Sequence, residues 1–283
     1  EARDRGGVGE SGAAGGGEVE GRGALLSEWG ADSEVSRINA AGTAGQVVGP
    51  ETLAVIDKSL WISRASDGVF DITFASMGEL WRFGKDDPPS VPTRAAVEAA
   101  RGRIDYRKIS VDHDERRIRL AAGTKIGVGG IAKGYIMDRA AAELRRRGLE
   151  RFFVQAGGDL YVSGDKPDGS PWRVGIRDPR GPEDAVFAVA PIRDRAFSTA
   201  GDYQRAFVVD GRRYHHIIDP RTGYPATASR SVTSWARDAI TADASDDAVF
   251  ILGPERGLAL VESLPDCGAV IVAADHSVHV SRR

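Results

Sequence analysis

Three aspartates lie close together in the segment TADASDDAVFILG, residues 241–253. Asp243, Asp246 and Asp247 are three and four residues apart, so on a helix all three side chains project from one side. Like charges at this spacing repel each other, and a hard cation such as Mg²⁺ would relieve the repulsion because it prefers carboxylate oxygens. The alternative is an acidic first helical turn that only favours the helix dipole.

A glycine-rich stretch, IGVGGIAKGY, occupies residues 126–135. Gly127, Gly129 and Ala132 match a loose dinucleotide fingerprint, but the preceding residues predict a hairpin, whereas a Rossmann domain needs a parallel βαβ unit. Gly134 is followed by Tyr, so the stretch is not a P-loop. Glycines in a strand-to-helix turn let a ligand approach the backbone, and a helix N-terminus attracts phosphate. A tight turn whose glycines serve only packing explains the stretch equally well.

Two histidines precede a strong turn signal in RRYHHIIDPRTGYPA, residues 212–226. His215 and His216 are neighbours on a predicted strand, so one side chain points inward and the other outward. A histidine beside Asp219 could serve as a general base. The alternative is a half-buried histidine that bonds to the turn backbone.

Two further segments carry weaker signals. Gly157, Gly158 and Asp159 predict a hairpin turn between two strands, which by itself implies no chemistry. Ser198 and Thr199 precede a Gly-Asp turn, but no G-x-S-x-G elbow surrounds them, so the sequence argues against a serine hydrolase.

The elements that must position these residues mix helices and strands without a regular βαβ alternation. Apolar periodicity predicts helices over residues 51–66, 94–101, 131–147 and 239–252, with a further helix beginning at Gly253. Paired segments at 107–112 and 115–121 predict a hairpin, and further strands are predicted at 172–177, 185–190, 205–209, 213–218, 231–236 and 268–273. This mixture predicts an α+β fold of mainly antiparallel sheets with packed helices.

Composition narrows the function classes. The chain has 283 residues and a net charge of −3, which argues against a nucleic-acid binder held by a basic surface. A single cysteine excludes a disulfide framework, and no apolar run is long enough to predict a transmembrane helix. Residues 1–24 are rich in glycine and lack apolar periodicity, so they predict a disordered or degenerate N-terminus, and residues 25–283 predict the globular domain.

Taken in order, these segments resemble the ApbE-type FAD:protein FMN transferases. The resemblance covers residues 25–283, and the blocks GGIAKGY and HIIDPRTGYP are its most specific parts. The other blocks are SEWGADSEVSRIN, GVFDITFASMGELWRFG, QAGGDLYVSG, WRVGIRDP, STAGDY and TADASDDAVFILGPERGLALVE. The fold that it implies is an ApbE-like, tunnelling-fold-like duplication.

The resemblance implies a reaction with FAD as a substrate. With Mg²⁺, the FMN moiety of FAD is transferred to a Ser or Thr hydroxyl of an acceptor protein, and AMP is released. Two alternatives remain open: an FAD pyrophosphatase that yields FMN and AMP, and a flavin-binding protein without catalysis. The resemblance also implies an extracytoplasmic location, periplasmic or membrane-anchored, although no signal is visible in this chain.

The resemblance assigns roles to individual residues. The metal ligands that it implies are Asp243, Asp246 and Asp247, with a backbone carbonyl near Gly130. The implied catalytic residues are His216, Asp219 and Lys133, and the implied FAD-binding residues are Trp29, Phe70, Asp71, Ile72, Gly127, Lys133 and Ile218. The sequence departs from the family where Gly127 replaces a frequent Asp, where Asp247 replaces a usual Thr, and where residues 1–24 lack the family's first Met-Gly-Thr strand.

Overall fold

The computed structural model describes residues 26, 30, 32–84, 86–182 and 184–282. The α-helices in this part of the chain are α1 (Glu34–Ala41), α2 (Pro50–Ala65), α3 (Arg94–Arg101), α4 (Ala132–Arg146) and α5 (Ala239–Ser263). The strands are β1 (Gln46–Val47), β2 (Ile109–Asp112), β3 (Arg117–Leu120), β4 (Phe152–Ala156), β5 (Asp159–Ser163), β6 (Trp172–Arg177), β7 (Val186–Ile192), β8 (Arg195–Gly201), β9 (Ala206–Val209), β10 (Arg212–His215), β11 (Ile218–Asp219), β12 (Tyr224–Pro225), β13 (Ser229–Ala236), β14 (Gly268–Ala273) and β15 (Val278–Val280). Short 3₁₀ helices span Gly42–Ala44, Ile72–Leu80 and Tyr106–Lys108.

A six-stranded antiparallel sheet in the order β15-β14-β13-β8-β5-β4 forms the centre of the fold. Helix α5 packs on β13, β8 and β14, and α4 packs on α5, β4 and β5. Phe250 of α5 is fully buried in this layer, and so are Val232 of β13 and Ile271 of β14. The opposite face of the sheet is covered in part by the β6–β7 hairpin, whose Ile192 packs with Val162 and Phe197.

Two glycines shape the helices α4 and α5. A Cβ atom on Gly134 of α4 would lie only 2.3 Å from the carbonyl oxygen of Ala239, so only glycine permits the approach of α4 to the start of α5. Helix α5 is kinked at Gly253, where φ is 75°, and Pro254 follows directly. The predicted second helix after Gly253 therefore continues α5 across a kink.

A smaller aromatic cluster holds β9–β12 to the rest of the fold. It consists of Trp81, Phe83, Phe207, Tyr214 and Tyr224, whose ring centroids are 5.4–5.9 Å apart in successive pairs. The indole N–H of Trp81 donates to the carbonyl oxygen of Gly223 at 2.9 Å. Aromatic packing of this kind adds to the free energy from buried area, so the cluster anchors the segment that carries the two histidines.

The predicted fold class is confirmed: helices pack on antiparallel sheets, and every strand pair in the described residues is antiparallel. The single strand predicted over 213–218 is instead two strands, β10 and β11, with His216 between them. The predicted domain boundary after residue 24 lies outside the described residues and stays a prediction. Within the described part of the chain, none of the helices is both long and apolar enough to span a bilayer.

Candidate active site

Three aspartates of helix α5 and one of β5 form an acidic cluster, which we define as Asp159, Asp243, Asp246 and Asp247. Asp243 and Asp246 are only 3% and 4% exposed. The N-cap Asp238 accepts a hydrogen bond from the Thr241 N–H at 2.8 Å, which fixes the start of the helix.

Asp138 links the start of α5 to α4. Its two carboxylate oxygens accept hydrogen bonds from the N–H groups of Ala239 and Ile240 at 2.7 and 2.9 Å. Burial raises the pKa of Asp138 to about 6, although these two hydrogen bonds oppose the rise. The first turn of α5 is therefore fixed from two sides, which defines where the three aspartates that follow point.

Lys133 contacts the acidic cluster from the first turn of α4. Its ammonium forms an ion pair with Asp159 and lies 3.6 Å from Oδ1 of Asp243. The other oxygen of Asp243 accepts a hydrogen bond from the Gly134 N–H at 2.8 Å. Burial lowers the pKa of Lys133, but the charges of Asp243 and Asp159 outweigh that effect and hold the pKa above its usual value. Lys133 is therefore charged, and its side chain is still 52% exposed.

A serine links two carboxylates beneath Lys133. The Ser198 hydroxyl oxygen lies 2.7 Å from Oδ1 of Asp159 and 2.7 Å from Oδ2 of Asp246. A hydroxyl has one proton, so it donates to one carboxylate, and the second contact requires a proton on a carboxyl group. Burial raises the pKa of Asp246 well above its ordinary range, and the charges of Asp247 and Asp243 add to the rise. Burial therefore favours a proton on Asp246 in this arrangement.

The remaining helix aspartates also have raised pKa values. Burial raises the pKa of Asp243 to about 6 against the opposing effect of Lys133. Burial raises that of Asp247 to about 7, with a further contribution from the charge of Asp243. Several buried carboxyl groups can be ionised at the same time only if positive charge lies nearby, and Lys133 supplies one such charge.

The donor atoms of the described residues do not enclose a metal ion as they stand. No group of three or more His, Cys, Asp or Glu side chains in this part of the chain is placed to hold one. The Lys133 ammonium instead contacts Asp243, which is one of the predicted metal ligands, and Asp159. The predicted metal ligands Gly130, Asp243, Asp246 and Asp247 are nonetheless brought together, and their role stays a prediction.

The glycine-rich turn passes directly over the acidic cluster. A Cβ atom on Gly130 would lie 2.8 Å from Oδ2 of Asp247 and 3.5 Å from the ring of Phe70. The Gly127 N–H donates to the carbonyl oxygen of Ile72 at 2.8 Å. The segments predicted to bind metal and flavin are therefore neighbours, and the absence of a Cβ at Gly130 leaves room for the Asp247 carboxylate beside the backbone.

Asp71 anchors this region through its carboxylate. Its oxygens accept hydrogen bonds from the Thr73 N–H at 2.8 Å, the Thr73 hydroxyl at 2.6 Å and the Tyr106 N–H at 2.7 Å. Burial raises the pKa of Asp71, and these hydrogen bonds oppose the rise. The carboxylate is thus already engaged as a helix cap, and the predicted FAD contact of this residue stays a prediction. Trp29, the other predicted flavin contact near the start of the domain, lies outside the described residues.

His216 lies at the break between β10 and β11. Its Nδ1 atom is buried and has no hydrogen-bond partner among the described residues. Burial lowers the pKa of His216 to about 4, and the neighbouring His215 and Arg205 lower it further. The imidazole is therefore neutral at physiological pH and able to accept a proton. His215, by contrast, is bonded through Nε2 to the carbonyl oxygen of Ala226 at 2.9 Å.

Asp219 closes the turn after His216. Its carboxylate accepts hydrogen bonds from the Arg221 N–H at 2.9 Å and from the Arg221 guanidinium at 2.8 Å. Ile218 is 8% exposed and packs in the aromatic cluster's core. Both residues hold the turn that carries His216, and their predicted catalytic and FAD-binding roles stay predictions.

Sequence reasoning missed three residues of the site: Asp138, Asp159 and Ser198. Asp159 was interpreted as part of a hairpin turn only, and Ser198 as a weak hydrolase signal. A usable signal for Asp159 is its register, because it begins a strand on the same face as the buried Tyr161 and Ser163. An acid on a buried strand face needs a partner, and Lys133 is that partner.

The chain is similar to known proteins of one family. The model of the ApbE family matches residues 14–271. The FAD:protein FMN transferase of Klebsiella pneumoniae is 35% identical over 243 residues, which are 84% of this chain and 69% of that protein. The protein of the same name from Treponema pallidum is 34% identical over 266 residues, with 88% and 73% covered.

Solved structures extend the likeness to the fold. The crystal structure of the ApbE protein from Thermotoga maritima matches with a TM-score of 0.92 and 34% identity, covering 99% of this chain and 92% of that chain. The flavin transferase ApbE from Vibrio cholerae matches with a TM-score of 0.87 and 27% identity, covering 100% and 91%. Fold and site thus define an enzyme of the flavin transferase class. The chain belongs to the ApbE family.

Proposed function

We propose that this enzyme uses FAD and Mg²⁺ to transfer FMN to a Ser or Thr hydroxyl of an acceptor protein and releases AMP. The observation that carries the proposal is the convergence of Lys133 and the acidic cluster beneath a glycine-rich turn. Transfer of this kind attacks a diphosphate, so the site must orient it, neutralise its charge and accept a proton. Each of these tasks has a candidate residue in the described part of the chain.

The diphosphate of FAD would lie against the start of α4. The half-exposed Lys133 ammonium has three donors, and Asp159 accepts one of them. The backbone of the glycine-rich turn and the N-terminus of α4 add partial positive charge on the same side. Phe70 and Ile72 are buried next to this turn, and they are the apolar residues that we propose as neighbours of the flavin.

The chemistry of the donor set fits a divalent cation. Asp243, Asp246 and Asp247 are carboxylates with raised pKa values on one helix side, and Gly130 brings its backbone against Asp247. Mg²⁺ prefers such oxygen ligands and, when bound, would neutralise charge on the diphosphate. The chain's own contribution is to hold these oxygens in place through the caps of Asp138 and Asp238.

His216 is the candidate for proton transfer. Its imidazole is neutral because burial lowers its pKa to about 4, so it can take the proton of the acceptor hydroxyl. The hydroxyl oxygen then forms a bond to the FMN phosphorus, the bond from that phosphorus to the bridging oxygen breaks, and AMP leaves with that oxygen. The turn closed by Asp219 and Arg221 follows His216 and restricts the backbone beside it.

The test is to incubate the protein with FAD, Mg²⁺ and a threonine-containing acceptor domain. We expect AMP in solution and one FMN mass on the acceptor, and neither product when EDTA replaces Mg²⁺. The matched control is the acceptor with Thr replaced by Ala, which should stay unmodified. AMP with free FMN would indicate a pyrophosphatase, and intact bound FAD would indicate a binding protein; either result overturns the proposal.

We further propose an extracytoplasmic location, which rests on family membership alone. The test is fractionation of cells that express the complete gene, with the protein detected by antibody. Recovery in the cytoplasmic fraction would overturn this proposal without affecting the proposed reaction.

A further inference from the structure

We propose that Ser198 is a positioning residue: its buried hydroxyl fixes Asp159, and Asp159 holds the Lys133 ammonium where the diphosphate binds. The proposal rests on the proposed function because it assigns Lys133 to the diphosphate. Ser198 neither lies near the surface nor reaches a ligand, since its side chain is 0% exposed. It therefore acts through its two carboxylate neighbours.

The hydrogen bonds and the ion pair form a network that joins two strands and two helices. Ser198 of β8 lies 2.7 Å from Asp159 of β5 and 2.7 Å from Asp246 of α5, and Asp159 forms the ion pair with Lys133 of α4. The backbone N–H of Thr199 adds a hydrogen bond to Asp159 at 3.1 Å. One oxygen of Asp159 thus faces β8, and the other faces Lys133.

Solvent exposure differs sharply between the two ends of this network. Asp159 is 1% exposed, whereas Lys133 is 52% exposed, so Lys133 is the solvent-facing end of a buried network. A lysine side chain has many rotamers, and fixing one of them has an entropic cost that a rigid partner reduces. Asp159 can be that partner because Ser198 and the Thr199 N–H restrict its carboxylate to one orientation.

Removal of the Ser198 hydroxyl should loosen Lys133 without changing its charge. We expect Ser198→Ala to weaken ADP binding and to lower kcat/KM for flavin transfer by roughly 10-fold, the size of one hydrogen bond to a charged group. Asp159→Asn should act in the same direction with a larger loss, because it also removes the ion pair with Lys133.

The decisive experiment is a double-mutant cycle read on ADP affinity by calorimetry. If Ser198 acts through Lys133, Ser198→Ala should weaken binding by less than about 2-fold in a Lys133→Gln background. An equal 10-fold loss in both backgrounds would overturn the proposal, and so would unchanged affinity of Ser198→Ala alone.

A matched control separates positioning from general destabilisation. Thr233→Val removes the contact between the hydroxyls of Thr233 and Thr199, which are 3.0 Å apart in the same sheet. We expect a similar loss of unfolding free energy but unchanged ADP affinity and kcat/KM. If Ser198→Ala does not fold, the cycle is run with Ser198→Cys, which retains a side chain of similar size but is a weaker hydrogen-bond donor.

The ADP readout also separates this proposal from the proposed function. If the wild type binds ADP but transfers no FMN, the proposed function is wrong and the cycle still decides the role of Ser198. If the wild type does not bind ADP, Lys133 does not serve a diphosphate and the positioning proposal is overturned.

Discussion

The acidic cluster and the histidine arm, which we define as residues 206–225, form the two halves of the candidate site and are built differently. The acidic cluster is held by contacts between residues far apart in sequence, such as Gly134 with Asp243 and Asp159 with Ser198. The arm combines local turns, such as Asp219 with Arg221, with a stack of aromatic rings that joins it to Trp81.

The two halves also differ in the direction in which burial shifts the pKa values of their side chains. The acidic cluster buries several carboxyl groups whose pKa values are raised and which share one lysine. The histidine arm contains His216, whose pKa is lowered by burial, so its imidazole is neutral. This difference indicates a division of roles. The acidic cluster with Lys133 would neutralise the charge of the diphosphate, and the histidine arm would accept a proton.

The strongest test of this division is Asp243→Ala. Asp243 contacts both Lys133 and Gly134, so its loss removes a proposed metal ligand and a link between α4 and α5. We expect flavin transfer to fall by at least about 10³-fold, or about 4 kcal/mol of activation free energy. Single-turnover kinetics with FAD and the acceptor domain would measure the loss.

Two further variants control for the contact to α4 and for charge in general. Asp243→Asn retains an oxygen that can accept from Gly134, so it should fold like the wild type yet be almost as inactive as Asp243→Ala. Asp168→Ala removes an aspartate in an exposed turn and should leave transfer unchanged. Metal-dependent transfer by Asp243→Asn at the wild-type rate would contradict the metal assignment.

Local signals in the sequence predict the elements well. Pro50 at the first position of α2 and Gly253 at the kink of α5 mark boundaries that the structure confirms, because each residue restricts or permits a particular backbone conformation. The buried face of α4 depends on its neighbour in the fold. Gly134, Met137, Ala140 and Ala141 are buried there because α5 approaches so closely.

The candidate site also combines features that local sequence predicts with features that only the tertiary fold creates. The helical spacing of Asp243, Asp246 and Asp247 predicts that they share one side, and their shared environment in the structure agrees with this. Nothing local connects Asp159 with Ser198, because the contact exists only once β5 and β8 are paired. Partners of this kind require the tertiary fold, and so does the depth of burial that shifts their pKa values.

The second test acts on the aromatic side of the comparison. Trp81→Ala removes a ring that stacks on Tyr214 and a hydrogen bond to Gly223, so we expect a loss of about 3 kcal/mol of unfolding free energy. Trp81→Phe retains a ring and should lose only about 1 kcal/mol. Denaturant unfolding measures both. If the halves are independent, ADP affinity should stay unchanged in the folded variants, and a matching loss of affinity would show that they are coupled.

The smallest expected effect concerns the pH dependence of stability at His216. Burial lowers its pKa to about 4 from an ordinary value of 6.5, so between these values the unfolded chain binds more protons than the folded chain. The unfolding free energy should therefore fall as the pH falls from 6.5, by about 2 kcal/mol at pH 5 from this group. His216→Gln should remove that share of the decrease, as measured by denaturant unfolding at pH 7, 6 and 5. Arg221→Ala, which retains both histidines, should keep the wild-type slope. A His216→Gln variant with the wild-type slope, or a His216 imidazole that titrates near 6.5 by NMR, would contradict the neutral imidazole on which the proton transfer depends.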